Sequence, residues 1–162
     1  LRFFTVYGPR QRRDLAIAKF VERISRDEPI ELYGTGGSAR DYTYVDDIVA
    51  GIVASIDQLL APGRHEPRHR IYNLCGGRAT RLSDLVERVS AALGLPARIV
   101  HLPEQPGDLP ATLGDVSRSA RELGYRPRVN LDEGLARFVA WWHAREKRAR
   151  QGEIRSILPR LA

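Results

Sequence analysis

The chain has no methionine, one cysteine and, among 26 basic residues, only two lysines. Each scarcity excludes something. A lone Cys75 rules out an internal disulfide and fits a reducing compartment, the cytoplasm. No apolar run approaches the roughly 20 residues that a membrane-spanning helix needs. The opening residues do not show the basic-then-apolar layout of a secretion signal. His65, His69, His101 and His143 lack metal-ligand spacing supported by Cys or Asp, so no metal is expected. No G-x-G-x-x-G run follows a strand and opens a helix, so a dinucleotide pyrophosphate has no cradle of its own here.

What is present is ordinary for a globular protein: 43% hydrophobic and 28% charged residues over 162 positions, enough for one modest domain with a core. The net charge of +6 is spread along the chain and mixed with 20 acidic residues, which argues against a nucleic-acid partner. Only the C-terminal stretch, from Arg145 to Arg160, concentrates cations, and it reads as a solvated helix end.

Strands and helices alternate, which gives an α/β class. Residues 2–7 read as one strand buried on both faces. Residues 14–26 read as a helix with Ile17, Phe20, Val21 and Ile24 on its inner face. Residues 30–33 and 41–45 are short strands. A helix over 46–60 places Ile48, Val49, Ile52, Val53, Ile56 and Leu60 at helical spacing, with Asp46 as N-cap. Residues 61–69 are loop by composition, and 70–75 read as a second buried strand closed by Gly76-Gly77. Thr80 or Ser83 caps the next helix, which stops at Gly94. Residues 97–101 are a strand, Asp115 caps a small helix ending at Gly124, and Asn130 caps the last helix. Residues 151–162 show no period and are expected to be a mobile tail.

The most informative stretch is Arg40-Asp41-Tyr42-Thr43-Tyr44-Val45-Asp46-Asp47, which follows the glycine turn Gly34-Thr35-Gly36-Gly37. An Arg delivered by such a turn is well placed to grip a phosphate, because its guanidinium is always charged and bidentate. The plain alternative is a surface Arg paired with Asp41. The stretch resembles the "RDYxYVDD" signature of extended short-chain dehydrogenases/reductases (SDRs) acting on nucleotide sugars. The opening, with Thr5-Val6-Tyr7-Gly8-Pro9-Arg10-Gln11-Arg12, resembles a second signature of that family, and Gln105-Pro106-Gly107-Asp108 with Asp115 a third.

The resemblance, in the family's order over residues 1 to about 142, implies the C-terminal part of an extended Rossmann-type enzyme. Residues 1–150 would be the substrate-binding part, with 1–13 and 70–77 contributing strands to the dinucleotide-binding sheet. It implies that Tyr33 stacks on the base, Arg40 binds the phosphates, Asp108 accepts ribose hydroxyls and Gln105 bonds a hydroxyl. Thr5 would touch the sugar, Arg12 would hold a C6 carboxylate, and Phe4 would lie beside the nicotinamide. The family's Tyr-x-x-x-Lys pair is absent, since neither Lys19 nor Lys147 has a tyrosine four residues earlier. The expectation is therefore the nucleotide-sugar half of an NAD-dependent 4-epimerase of the UDP-glucuronate or UDP-glucose type, without turnover alone. NAD would be bound mainly by the other half, and the intact enzyme would be a homodimer. A nucleotide-sugar 4,6-dehydratase, a UDP-glucuronate decarboxylase and a non-catalytic binding module are the other readings.

Overall fold

The computed structural model describes residues 1–62, 69–104, 107 and 109–157, with side chains through Gln151. Its elements are β1 (Arg2–Phe3), β2 (Thr5–Tyr7), α1 (Ala16–Ser25), β3 (Ile30–Tyr33), β4 (Ala39–Tyr44) and α2 (Val45–Leu60). They continue with β5 (Asn73–Leu74), β6 (Ala79–Arg81), α3 (Leu82–Leu93), β7 (Ile99–Leu102), α4 (Ser117–Leu123) and α5 (Leu131–Ile157).

Among the described residues these strands form three small sheets. β1 pairs with β5 in parallel, and β3 pairs with β7 in parallel. β4 stands between β2, parallel to it, and β6, antiparallel to it. The main core lies between α1, α3 and α5. There Ile17, Phe20, Val21, Ile24, Leu85, Val86, Val89, Leu135, Phe138 and Trp142 pack together, as the 3.6-residue spacing predicts.

Several expectations need correction. The run 2–7 is two strands in two sheets, split at Phe4, and its first part is exposed rather than doubly buried. The second predicted strand shrinks to Asn73–Leu74, extended only by Arg2 N donating to Tyr72 O at 2.8 Å. Asp46 is not an N-cap: α2 starts one residue earlier, with Tyr44 at the cap position and no side-chain cap. Asp46 instead meets Arg137 at 3.5 Å, while Asp47 is buried and accepts the N–H groups of Arg128 and Val129.

Thr80 lies in β6, and Ser83 is already inside α3. The first amides of α3 are satisfied by backbone carbonyls, Leu82 N to Ser38 O and Ser83 N to Gly36 O, so no side-chain cap is needed. Those bonds also seat the glycine turn on the helix. Asp115 acts from just before α4, accepting Ser117 N at 2.8 Å, and Val116 holds the cap position. Asn130 caps α5 through Glu133 N, as expected. The predicted tail is helical to Ile157, and the last five residues lie outside the described ones.

Candidate nucleotide-sugar site

β3 alternates, with Ile30 and Leu32 in the core and Glu31 and Tyr33 outward. This alternation, and not a pocket, brings Tyr33 to the surface with 41% of its area exposed, which excludes a core-packing role. The chain then turns through Gly34 and Gly36, both at positive φ. At Gly34 a side chain would also meet Glu104 at 2.7 Å. The result is a cleft of about 260 Å³ lined by Tyr33, Thr35, Gly37, Ser38, Glu104, Leu109 and Pro110.

Arg40 adjoins this cleft. Its Nη1 donates to Ala39 O at 2.9 Å and to Leu109 O at 2.7 Å, which ties the guanidinium to the cleft wall. The expected alternative, an Arg40–Asp41 surface pair, fails because Asp41 is fully buried. Its Oδ1 accepts Gly76 N at 2.7 Å, and its Oδ2 accepts Gly77 N at 3.0 Å and Gly114 N at 3.2 Å. Gln105 and Asp108 lie outside the described residues.

The other predicted residues lie outside the lining of this cleft. Thr5 pairs with Tyr42, two residues beyond Arg40 on the adjacent strand. Phe4 is half-buried with its ring against Gly114, so close that a Cβ there would stand 2.8 Å from it. Arg12 does not line the cleft. It extends into solvent and grips Asp14 with Nε at 3.1 Å and Nη2 at 2.8 Å, a two-point fork of the kind a carboxylate accepts. A separate cleft of about 510 Å³, lined in part by Arg78, Arg88 and Arg128, shares no residue with the first. Arg88 there is already paired with Asp132.

The buried phenols and the thiol are held in their protonated forms. Burial pushes the Tyr42 hydroxyl up to about 12, with Arg40 opposing only in part. Burial also raises Tyr7 and Tyr125 further. A general base works with a pKa near the operating pH, so these phenols stay protonated and serve as hydrogen-bonding groups, not as bases. Burial, with Asp41 nearby, likewise drives the Cys75 thiol up to about 12, far from a nucleophile's range. No group of three or more metal-type ligands occurs among the described residues.

Sequence reasoning missed Asp41, Glu104 and Ser38. Asp41 had a readable signal, since alternation on a strand sends the residue after Arg40 to the opposite, inner face. Glu104 had none, because its contact with Gly34 depends on how β3 and β7 pair.

Comparison with known proteins agrees with this architecture. The NAD dependent epimerase/dehydratase family model matches residues 1–75. A probable UDP-glucuronate 4-epimerase of Rhizobium meliloti is 41% identical over 161 residues, covering 91% of this chain and 47% of that protein. The UDP-glucuronate 4-epimerase of Thermodesulfobacterium geofontis is 34% identical, covering 87% of this chain and 42% of its own length. Among solved structures, MoeE5 in complex with UDP-glucuronic acid and NAD superposes with a TM-score of 0.78 at 31% identity, covering 88% of this chain and 46% of that one. The Bacillus cereus UDP-glucuronic acid 4-epimerase, in complex with UDP-glucuronic acid and NAD, gives 0.74 at 31%, covering 86% and 43%. Residues 1–75 thus belong to the NAD-dependent epimerase/dehydratase family, and the chain has the fold of an extended SDR. It spans about half the length of the relatives it matches.

Proposed function

We propose that the chain is the nucleotide-sugar-binding part of an NAD-dependent UDP-sugar 4-epimerase, of the UDP-glucuronate or UDP-glucose type. The observation that carries this reading is the cleft itself: an outward Tyr33 on one wall, with Arg40 bonded to Leu109 on the other. A uracil stacked on Tyr33 would leave its diphosphate toward Arg40, with Asp108 and Gln105 on the segment between Glu104 and Leu109. Thr5, beside Tyr42, would face the sugar, and Arg12 would take a C6 carboxylate by exchanging it for the Asp14 carboxylate its fork now holds.

The chain's own fit to NAD is limited to the Phe4 ring against Gly114 and the two-stranded parallel β1–β5 sheet. Residues 1–13 and 70–77 would join the dinucleotide-binding sheet there. When bound, NAD would take up and return the C4 hydride. The described residues would hold the nucleotide and let the sugar turn, which is positioning in the near-attack sense. Alone, the chain would bind without turnover. The intact enzyme would be a cytoplasmic homodimer with no nucleic-acid or membrane partner. No described helix is long and apolar enough to cross a membrane.

Calorimetry with UDP, UDP-glucose and UDP-glucuronate tests the reading. UDP-sugar binding that weakens at least about tenfold in Arg40→Ala, as loss of a charged hydrogen bond implies, is the expected result. A tighter fit for the glucuronate would assign Arg12 to the carboxylate. A folded chain that binds none of the three would defeat the proposal.

A further inference from the structure

Arg40 and Asp41 are consecutive on β4, so their side chains leave opposite faces of the strand. Both nevertheless reach the same downstream segment, residues 109–114. Arg40 bonds its start at Leu109 O, and Asp41 accepts its end at Gly114 N. Between these points the backbone of Ala39 accepts Thr112 N at 3.0 Å and donates to Pro110 O at 2.8 Å. Three successive residues of one strand thus hold a six-residue segment at four points. That segment begins in the nucleotide cleft with Leu109 and Pro110, and ends at the Gly114 seat of Phe4.

The Asp41 carboxylate is suited to this work in a way that an amide is not. It is fully buried and receives three backbone N–H groups from two separate parts of the chain, at Gly76, Gly77 and Gly114. Thr43 Oγ1 adds a long contact at 3.5 Å. Both oxygens must accept, and an ionised acceptor makes each of these bonds stronger. An asparagine would turn one oxygen into a donor facing an N–H and leave that buried N–H unpaired. A Cβ at Gly76 would stand 2.8 Å from Tyr42 O and 3.0 Å from Asp41 Oδ1, so the absence of a side chain lets this amide approach the carboxylate.

We propose that Asp41 is a positioning residue: by fixing segment 109–114 against β4, it sets the wall of the nucleotide cleft on which Arg40 bears and couples that wall to the Phe4 side. This rests on the nucleotide-binding reading above. The test is a cycle of Asp41→Asn and Arg40→Ala in the full chain, with UDP as the probe and amide hydrogen exchange as a ligand-independent readout. Asp41→Asn, with its helical circular dichroism retained, should bind UDP at least about tenfold more weakly. In the Arg40→Ala background the same change should cost less than about threefold, because the two residues act on one segment. The Thr112 and Gly114 amides should also exchange faster.

A purely structural role would give equal losses in both backgrounds and would overturn the proposal. So would unchanged exchange at Thr112 and Gly114. If the unmodified chain binds no UDP, the nucleotide reading falls and the exchange comparison alone decides the role of Asp41. If Asp41→Asn does not fold, amide shifts in the unmodified chain replace it. UDP must then move the Gly76, Gly77 and Gly114 resonances, and their staying fixed would overturn the coupling.

Discussion

The roles proposed for Tyr33 and Arg40 rest on exposure and reach, not on stability. Tyr33 keeps 41% of its surface exposed at the end of a strand whose inward residues, Ile30 and Leu32, do the packing. Tyr33→Ala should therefore leave the melting temperature nearly unchanged while weakening UDP binding by about 5- to 100-fold, the range of one base–aromatic stack. Calorimetry beside a thermal melt checks both halves of that statement. An equal loss of stability would mean that Tyr33 packs rather than stacks. At this scale the sequence was legible where a residue's direction follows from strand alternation, as for Tyr33. It was not legible where the partner sits far along the chain. Nothing near Asp41 announces Gly114, 73 residues on.

Helix α2 shows the same limit for whole elements. Its apolar spacing predicts a buried stripe, yet of that stripe only Ile48 is buried, while Val49, Val53, Ile56 and Leu60 are about half exposed or more. The face that does pack is small and polar: Asp47, Gly51 and Ser55. Gly51 permits contact with Leu74 and Tyr125, which a Cβ would meet at 2.7 and 3.0 Å. Periodicity reports which face is apolar, not which neighbour is present to cover it. Strand β6 went unread for a related reason, since Ala79-Thr80-Arg81 has no alternation and owes its extended form to pairing with β4. Asp47 carries the element-scale prediction. It joins α2 to the loop before α5 through the Arg128 and Val129 amides at 3.0 and 3.1 Å. Asp47→Ala would leave two amides unpaired and should cost about 2–4 kcal/mol, at 1–3 for each unmade bond partly met by water. Urea unfolding should show this as a lower midpoint at an unchanged slope. Asp46→Ala, whose carboxylate is exposed and makes only a 3.5 Å contact with Arg137, should shift the midpoint little.

Taken whole, the molecule has one well-filled core among α1, α3 and α5 and a second, thinner cluster of Ile48, Leu74 and Tyr125 beside the open β1–β5 pair. Leu1, Phe3 and Ile71 stand nearly half exposed around that pair. Buried phenols and the thiol run through both clusters and their margins, and they set how the fold responds to alkali. Burial holds Cys75 and Tyr42 at about 12, against ordinary values of 9.0 and 10.0, and raises Tyr7 and Tyr125 further. All four shifts are upward, so below pH about 8.5 both states keep these protons and the contribution is fully present. Above that, the unfolded chain releases them first and binds fewer protons than the folded one. Stability then falls as pH rises, beginning with the thiol and steepening through the phenol range near pH 10. Tyrosinate absorbance and far-ultraviolet circular dichroism, followed together up to about pH 12, should show Tyr7, Tyr42 and Tyr125 ionising only as ellipticity is lost. Cys75 should stay inert to a thiol reagent at about pH 8 until denaturant is added. Full ionisation of the six tyrosines with the ellipticity intact would show that these hydroxyls are not held by the core.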